Sequence, residues 1–331
     1  MTEIVTECSQ AAKRAEKTPC LPNKESWKRD FKKNWVMYLI FIPCAIYLIV
    51  FHYVPMIGVV MSFQEVNATA QMFGDKWVGF DNFVRMFTTS ANGNFLLALR
   101  NTFIMAFMNI TIGFLFPIVL ALLVSEVKNK YVKRTVQTVT YMPYFISAVI
   151  ICSLVREFVD TDGAVTALLK AFGYQGGSLL ENEKPPVFWL VYLFTDIWQN
   201  AGYASIVFVA AIANVDKDLY EAAAMDGANR LRRAWSITLP SILPIVVMMF
   251  TIKVGTMLGI GFDKVILLYN PGVYDTADCL YSYTYRMTTG EGGYADFGLS
   301  AASGLFQSVV SVVLLFISNM LSRMVAKTSL F

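Results

Sequence analysis

The chain has 331 residues, of which 56% are hydrophobic and only 15% are charged, and its net charge is +3 at pH 7. Soluble domains carry about 25% charged residues, so this balance favours an integral membrane protein. Five scattered cysteines form no C-x-x-C pair, which argues against a disulfide framework or a zinc site. The single histidine, His52, lies in an apolar run, where packing in a helix is a better explanation than metal binding.

Residues 1–34 are polar and basic, and this segment is too long for the n-region of a cleavable signal peptide. Cys44 resembles a lipoprotein cysteine, but Pro43 and the apolar run that continues beyond it argue against lipidation. We therefore expect a cytoplasmic basic tail over 1–34 and a first span that is retained as a membrane anchor.

Apolar stretches long enough to cross a bilayer recur along the chain. A helix needs about 20 apolar residues to cross about 30 Å of hydrocarbon. Six stretches meet this length: 35–63, 101–125, 138–158, 187–213, 239–262 and 301–322. Prolines in or near them predict kinks rather than breaks, because neighbouring helices can satisfy the freed carbonyls. The pattern predicts an all-α integral membrane protein with six transmembrane helices.

The distribution of Lys and Arg predicts the orientation. With a cytoplasmic N-terminus, the inner segments and the C-terminal end from Arg323 carry eighteen Lys and Arg, against seven on the outer side. Both termini, including the tail 324–331, are therefore expected in the cytoplasm. The outward segments, about 64–98, 159–186 and 263–300, are rich in aromatic residues. They either pack on a partner outside the cell or cap the helix bundle.

The polar segment "YEAAAMDGANRLRRAWSITLPSILP", residues 220–244, separates two apolar stretches. Asp218 and Glu221 have the spacing of a capping box, and the Asp226-Gly227 pair predicts a helix end. Asn229 is expected to cap a second short helix, so that two surface helices meet at an angle. The three alanines leave the first helix thin enough to enter a groove on another protein. The arginines that follow suit an anionic inner leaflet.

The spacing of this segment resembles the EAA loop of membrane subunits in binding-protein-dependent ABC importers. Glu-Ala-Ala is followed by Gly at the seventh position, Ile at the seventeenth and Leu-Pro at the nineteenth and twentieth. The matching residues, with the Asp that precedes the glycine, are Glu221, Ala222, Ala223, Asp226, Gly227, Ile237, Leu239 and Pro240. The resemblance implies a type I ABC importer permease fold with its core over 99–323. It also implies that 216–238 forms a cytoplasmic coupling helix that docks on an ATPase.

Other segments are similar to the subgroup for polysaccharide or oligosaccharide uptake, which is best known in Gram-positive bacteria. They are "WVGFDNFVRMF" (77–87), "LRNTF" (99–103), "KRTVQTVTYMPYFIS" (133–147) and "GFDKVILLYNPGVYDTADCL" (261–280). The resemblance implies an oligosaccharide cargo, a second homologous permease, two copies of an ATPase and an extracellular solute-binding lipoprotein. The setting would be the lipid bilayer of the bacterial cell membrane, and no nucleic acid is expected as a partner.

The chain lacks a G-x-x-x-x-G-K-[ST] loop, so ATP and Mg²⁺ are expected on the partner ATPase and no cofactor on this chain. "GEGGYA" (290–295) resembles a dinucleotide-binding turn, but it lies in an outward segment without a βαβ pattern, and a simple turn explains it better.

Two charged residues fall inside predicted spans, Asp196 in the fourth and Lys253 in the fifth. Ionisable residues within a membrane are costly and mark functional sites by default. The two could pair across adjacent helices, either as a structural ion pair or as part of the translocation path.

Side chains that are suited to sugar binding lie close to Asp196 in the sequence. Aromatic faces stack on sugar C–H surfaces and amides bond hydroxyl pairs, which suits Trp198, Gln199, Asn200 and Tyr203 to a substrate path. Trp198 could equally face lipid. Gly255, Gly259 and Gly261 could form a helix-packing motif or a kink beside the path.

Other functions compete with an oligosaccharide permease. The same machine could carry an amino acid or phosphate. An ion-coupled carrier would use Asp196 and Lys253 as a relay and would transport without ATP. A membrane enzyme is the weakest alternative, because the sequence offers no carboxylate pair, Ser/His set or metal cluster.

Overall fold

The computed structural model describes residues 24–66, 74, 76–88, 95–182, 185–259, 261–290 and 295–326. Most of the predicted tail, part of "GEGGYA" and the last five residues lie outside the described residues. The chain divides into two compact units, residues 1–58 and 59–331. In the first unit, α1 (Lys24–Leu48) continues through a π-helical turn, Ile49–Tyr53, into further helical turns. The described side chains of this unit are mainly apolar and exposed, as expected for a membrane anchor.

A short pair of strands lies near the start of the second unit. Two short strands, β1 (Gln64–Glu65) and β2 (Lys76–Trp77), pair antiparallel, and α2 (Asp81–Thr88) follows. Lys76 Nζ donates to Glu65 Oε2 at 2.9 Å, and this hydrogen bond lowers the pKa of the Glu65 carboxyl. The described part of the predicted outward segment 64–98 is therefore folded, with the only strand pair among the described residues.

Helices form almost all of the remaining described structure. They are α3 (Phe95–Glu126), α4 (Lys130–Tyr141), α5 (Ala148–Val159), α6 (Ala164–Ala171), α7 (Pro185–Ala213), α8 (Lys217–Met225), α9 (Arg230–Gly255), α10 (Phe262–Leu268), α11 (Tyr274–Ala277), α12 (Leu280–Thr289) and α13 (Phe297–Ala326). Both α3 and α9 contain a π-helical turn, at Asn109–Gly113 and Ala234–Thr238 respectively. Short 3₁₀ turns, among them Met142–Phe145 and Met257–Gly259, connect other elements.

Within the described residues, four helices are long and apolar enough to cross a membrane: Phe31–Phe63, Phe95–Glu126, Arg230–Gly255 and Phe297–Met324. A fifth candidate span results if two helices joined at a sharp bend are counted as one span. It joins Lys130–Phe145 to Ala148–Ala171 at an angle of 101°. The predicted fourth span, 187–213, is one continuous helix, α7, but it is not among these four. Asp196, Gln199 and Asn200 lower the hydropathy of its middle.

Two predicted spans differ in shape from the sequence-based expectation. The predicted third span, 138–158, is broken. Pro143 stands in the 3₁₀ turn, and Ser147 then starts α5 as its N-cap, its Oγ accepting from the Val149 amide at 3.2 Å. The predicted fifth span, 239–262, ends early, because α9 stops at Gly255 and Gly261 takes a left-handed φ of 76°. The kink predicted at Pro143 is thus a full break, and the helix also breaks after Gly255, where a kink was one of two alternatives.

The core of the second unit lies where α7, α9 and α13 pack against their neighbours. α3 lies along α7, and α9 lies along α13. Glycines permit two close approaches. A Cβ at Gly202 on α7 would lie 1.9 Å from the Thr140 carbonyl oxygen on α4, and one at Gly255 would lie 2.6 Å from Leu315 Cδ1 on α13. These contacts fix α7 and α9, the two helices that carry Asp196 and Lys253.

Candidate coupling loop and translocation path

The first helix of the coupling loop is α8, and its start differs from the prediction. Asp216 is the N-cap, and its Oδ1 accepts from the Asp218 amide at 3.1 Å. The helix therefore begins at Lys217, two residues before the start that the predicted Asp218 cap would give. Asp218 lies in the first turn, where its carboxylate interacts favourably with the positive end of the helix dipole. The expected capping box of Asp218 and Glu221 is thus replaced by an Asp216 cap.

The end of α8 is the predicted glycine turn. Gly227 has a φ of 76°, and its amide donates to the Ala224 carbonyl at 3.1 Å. The amide of Ala228 donates to the Ala223 carbonyl at 2.9 Å. This pair of hydrogen bonds around a left-handed glycine is a Schellman motif, which satisfies carbonyls that the helix end would otherwise leave open.

The second helix of the loop is not a separate surface helix. Asn229 caps it as predicted, with Oδ1 accepting from the Arg232 amide at 2.8 Å. From Arg230 the helix then continues without interruption to Gly255, through the π-helical turn. The loop is therefore one short helix, α8, followed directly by the start of a spanning helix. One continuous helix thus leads from the loop into the predicted membrane region.

The residues that match the EAA pattern divide by exposure. Those on α8 and its end are largely exposed, and those at the start of α9 are partly covered. The exposed residues are Glu221, Ala222, Asp226, Gly227 and Pro240, and the partly buried residues are Ala223, Ile237 and Leu239. Large apolar side chains lie exposed around this segment, with Met225 86% and Trp235 66% exposed. Such a surface is typical of a protein-binding site.

Two side-chain contacts hold the loop against the helices. The Tyr220 hydroxyl lies 2.9 Å from Thr238 Oγ1, which is buried in α9. Arg230 Nε lies 3.8 Å from Glu126 Oε2 at the end of α3. The second pair is half-exposed and contributes little, whereas the first connects α8 directly to the spanning helix.

Asp196 is the centre of a polar network between helices. Its Oδ1 accepts from Lys264 Nζ at 2.6 Å and from Asn200 Nδ2 at 2.7 Å, and its Oδ2 accepts from Asn109 Nδ2 at 2.7 Å. The Asp196 and Lys264 side chains are only 15% and 9% exposed. The predicted pairing of Asp196 with Lys253 is therefore wrong, because Lys264 on α10 occupies that position. Lys253 has no carboxylate within 4.0 Å among the described residues.

The other candidate path residues lie on different sides of α7. Trp198 and Tyr203 are 45% and 42% exposed. The Tyr203 ring stacks on Tyr144, with centroids 3.8 Å apart and planes 3° from parallel. Gln199 is buried and donates to the Ile146 carbonyl at 3.0 Å, so it holds the break between α4 and α5.

The two glycines have separate roles in the structure. Gly255 packs against Leu315 at the end of α9. Gly259 lies in the following 3₁₀ turn with only ordinary contacts to Tyr281. The two are therefore not one helix-packing motif, because the helix ends between them.

Three site residues escaped the sequence-based prediction. The sequence places Lys264 in a predicted outward segment, although an apolar run, "VILLY", follows it directly. Asn109 interrupts the apolar second span, and a polar side chain there signals a partner on another helix. Tyr144 follows Pro143, and no sequence pattern links it to Tyr203.

Comparisons with known proteins agree with this architecture. Residues 113–327, more than half of the chain, match the family described as the binding-protein-dependent transport system inner membrane component. The chain belongs to this family. It is 38% identical over 290 residues to the polygalacturonan/rhamnogalacturonan transport system permease protein YteP of Bacillus subtilis, covering 87% of each chain. It is also 35% identical over 309 residues to Protein LplB of the same organism, covering 92% of this chain and 94% of that one.

A solved structure shares both fold and sequence with the chain. It is the crystal structure of a bacterial ABC transporter involved in the import of the acidic polysaccharide alginate, at 36% identity and a TM-score of 0.81. The match covers 91% of this chain and 99% of that one. A second crystal structure shows that transporter with an alginate pentasaccharide-bound periplasmic protein, at the same similarity.

These findings confirm the predicted family and the predicted type of all-helical membrane fold. The chain is a membrane-spanning permease subunit of an ABC importer. It is a transporter subunit and not an enzyme.

Proposed function

We propose that this permease carries an oligosaccharide that an extracellular solute-binding protein delivers, and that α8 couples its movement to a separate ATPase. The observation that carries the coupling is α8 itself. It is an exposed helix with the EAA spacing, closed by a left-handed glycine and hydrogen-bonded to a spanning helix. The cargo class follows from the relatives, since YteP is named for polygalacturonan/rhamnogalacturonan and the solved transporter for alginate.

In the proposed cycle, ATP closes two copies of the ATPase and α8 moves with the cleft in which it sits. Glu221 is an exposed carboxylate on this helix and would pair with a basic residue of the ATPase. Movement of α8 reaches α9 through the Gly227 turn and the Tyr220–Thr238 contact. ATP and Mg²⁺ belong to the ATPase in this mechanism, and the permease changes which side of the membrane its path opens to.

The path would run along α7, past the exposed rings of Trp198 and Tyr203 and the Asn200 amide, which lie at different positions around the helix. Their aromatic rings and amide suit the C–H faces and hydroxyl groups of a sugar. The exposed positions of Trp198 and Tyr203 support this assignment. A second, homologous permease would form the opposite wall, so that the path lies between two related subunits.

The proposed setting is the cell membrane of a Gram-positive bacterium, with both termini in the cytoplasm. The excess of Lys and Arg on the predicted inner segments supports this orientation. The Bacillus relatives support the assignment to a Gram-positive bacterium.

Affinity purification from detergent-solubilised membranes tests the coupling. Wild type should recover an ATPase and a second permease together, as one stable complex. Glu221→Lys should lose the ATPase and keep the second permease. The control is Glu181→Lys, a charge reversal at an exposed residue in the predicted outward segment, which should recover both. A wild-type chain that purifies alone and transports with an ion gradient would contradict the proposal and favour an ion-coupled carrier.

A further inference from the structure

The polar network around Asp196 carries one positive charge too many. Asp196 and Lys264 neutralise each other at 2.6 Å, and the two amides complete the hydrogen bonding of the carboxylate. Lys253 lies within electrostatic range of both Asp196 and Lys264. It is partly buried and forms no ion pair among the described residues. The cluster therefore has two lysines for one carboxylate.

The direction of the Lys253 side chain follows from the packing of α9. Gly255 faces α13, where an added Cβ would meet Leu315. Residues two positions apart on a helix point about 200° apart, so Lys253 faces away from α13. That side of α9 lies against α7 and against the π-helical turn that contains Asn109. Lys253 thus points toward the side of the bundle where Asp196 lies.

A surplus cation at this place is costly unless an anion or water reaches it. The spanning helices Arg230–Gly255 and Phe297–Met324 contain no Asp or Glu. In the described residues, the carboxylate of Asp196 is already bound by Lys264, Asn109 and Asn200. Among the described residues, no carboxylate is therefore positioned to complement Lys253.

We infer that Lys253 binds a carboxylate of an acidic oligosaccharide during its passage, and so selects uronic-acid oligomers over neutral ones. This inference rests on the proposed function, because it assigns a charge to the oligosaccharide that the path would carry. A uronic-acid oligomer brings one carboxylate per sugar unit. A single ammonium group binds one carboxylate at a time, so the carboxylates of the oligomer would pair with Lys253 in turn.

The chemistry of the relatives points the same way. Polygalacturonan is by its name a polymer of galacturonic acid, and alginate is named as an acidic polysaccharide. Asp196 without Lys264 would repel such a cargo. The Lys264 ion pair neutralises that carboxylate, and Lys253 then gives the cluster a net positive charge.

Binding and uptake measured side by side test the inference. The complete importer, with its partner permease, ATPase and binding protein, is reconstituted in proteoliposomes for uptake. The permease–ATPase complex alone is placed in nanodiscs for equilibrium binding, so that selection by the binding protein does not enter. The probes are trigalacturonate and its trimethyl ester, which has the same backbone without the charges. The variants are Lys253→Met, Lys253→Arg and, as a control, Lys170→Met at an exposed outward residue.

Lys253→Met should weaken trigalacturonate binding about tenfold or more, as expected for a hydrogen bond to a charged group. Binding of the trimethyl ester should stay unchanged, Lys253→Arg should keep the preference for the acid, and Lys170→Met should match wild type. Equal losses for acid and ester, or no loss, would overturn the inference. The first of these outcomes would mean that Lys253 pairs with a carboxylate of the second permease.

The uptake assay separates this inference from the proposed function. Wild-type uptake of a neutral oligosaccharide but not of trigalacturonate would overturn the inference alone. Wild-type protein that imports no oligosaccharide, charged or neutral, would overturn both.

Discussion

The Tyr220 hydroxyl lies 2.9 Å from Thr238 Oγ1, so α8 is hydrogen-bonded to the part of α9 that enters the core. The two residues are eighteen positions apart and lie on either side of the Gly227 turn. Thr238 is buried and Tyr220 is partly buried, which shields this hydrogen bond from water. A force on α8 therefore reaches the spanning helix through a side-chain contact as well as through the backbone.

Tyr220→Phe should weaken this transmission without removing the ring that packs there. A hydrogen bond of this kind contributes about 0.5–1.5 kcal/mol, so uptake should fall about 2- to 10-fold. The ATPase activity of the complex should stay near wild type, since α8 still folds. The measurement is the amount of cargo imported per ATP hydrolysed in proteoliposomes.

The matched variant is Thr238→Val, which replaces the other hydroxyl by a methyl group of similar size. If the contact carries the effect, the double variant should lose no more than the single ones. Strictly additive losses would show that the two residues act independently and would contradict this role.

The coupling loop was largely predictable from the sequence because its structure depends on neighbours a few residues away. The Gly227 turn is closed by backbone hydrogen bonds and the Asn229 cap by a hydrogen bond from the Arg232 amide to the Asn229 side chain, all within six residues, and those residue types favour such conformations. The cap of α8 was misplaced by two residues because Asp216 and Asp218 are both suitable caps. Their choice depends on where the preceding helix ends, at Ala213.

The Asp196 network shows where sequence reasoning fails. Its ion pair joins residues 68 positions apart, on α7 and α10. Lys253 and Lys264 are both separated from Asp196 by the coupling loop, and nothing local distinguishes them. The choice depends on the early end of α9 at Gly255, which allows the chain to turn and to bring α10 back against α7. That path is a property of tertiary packing.

Substitutions of Gly227 should show whether the loop requires the backbone conformation of this residue or its lack of a side chain. Space around an added Cβ is open, so the obstacle to a larger residue is the φ of 76° alone. Gly227→Ala should cost about 1–2 kcal/mol locally, Gly227→Asn should cost less, and Gly227→Pro should be worst because proline cannot reach this φ and has no amide. Co-purification of the ATPase should fall in the order Asn, Ala, Pro. Equal recovery with all three variants would contradict a role for the turn in aiming α8.

Breaking the Asp196–Lys264 pair should destabilise the folded permease. Removing one partner leaves an uncompensated buried charge, which costs about 3–5 kcal/mol. Lys264→Met and Asp196→Asn should each lower the apparent melting temperature in detergent, measured by the loss of the monodisperse gel-filtration peak. The double variant should recover part of the loss, since no unpaired charge remains in the pair. A double variant less stable than either single one would argue against a direct ion pair.

The approach of α7 to α4 at Gly202 should tolerate no side chain. A Cβ there would lie 1.9 Å from the Thr140 carbonyl oxygen, and a backbone atom in a helix cannot move aside without moving the helix. Overpacking of this kind costs about 1–3 kcal/mol, so Gly202→Ala should lower the apparent melting temperature and reduce the yield of folded protein. Gly304→Ala is the control, because no atom lies within 4 Å of its added Cβ and its φ is ordinary for a helix. If both variants melt at the wild-type temperature, α7 and α4 do not approach this closely in the membrane.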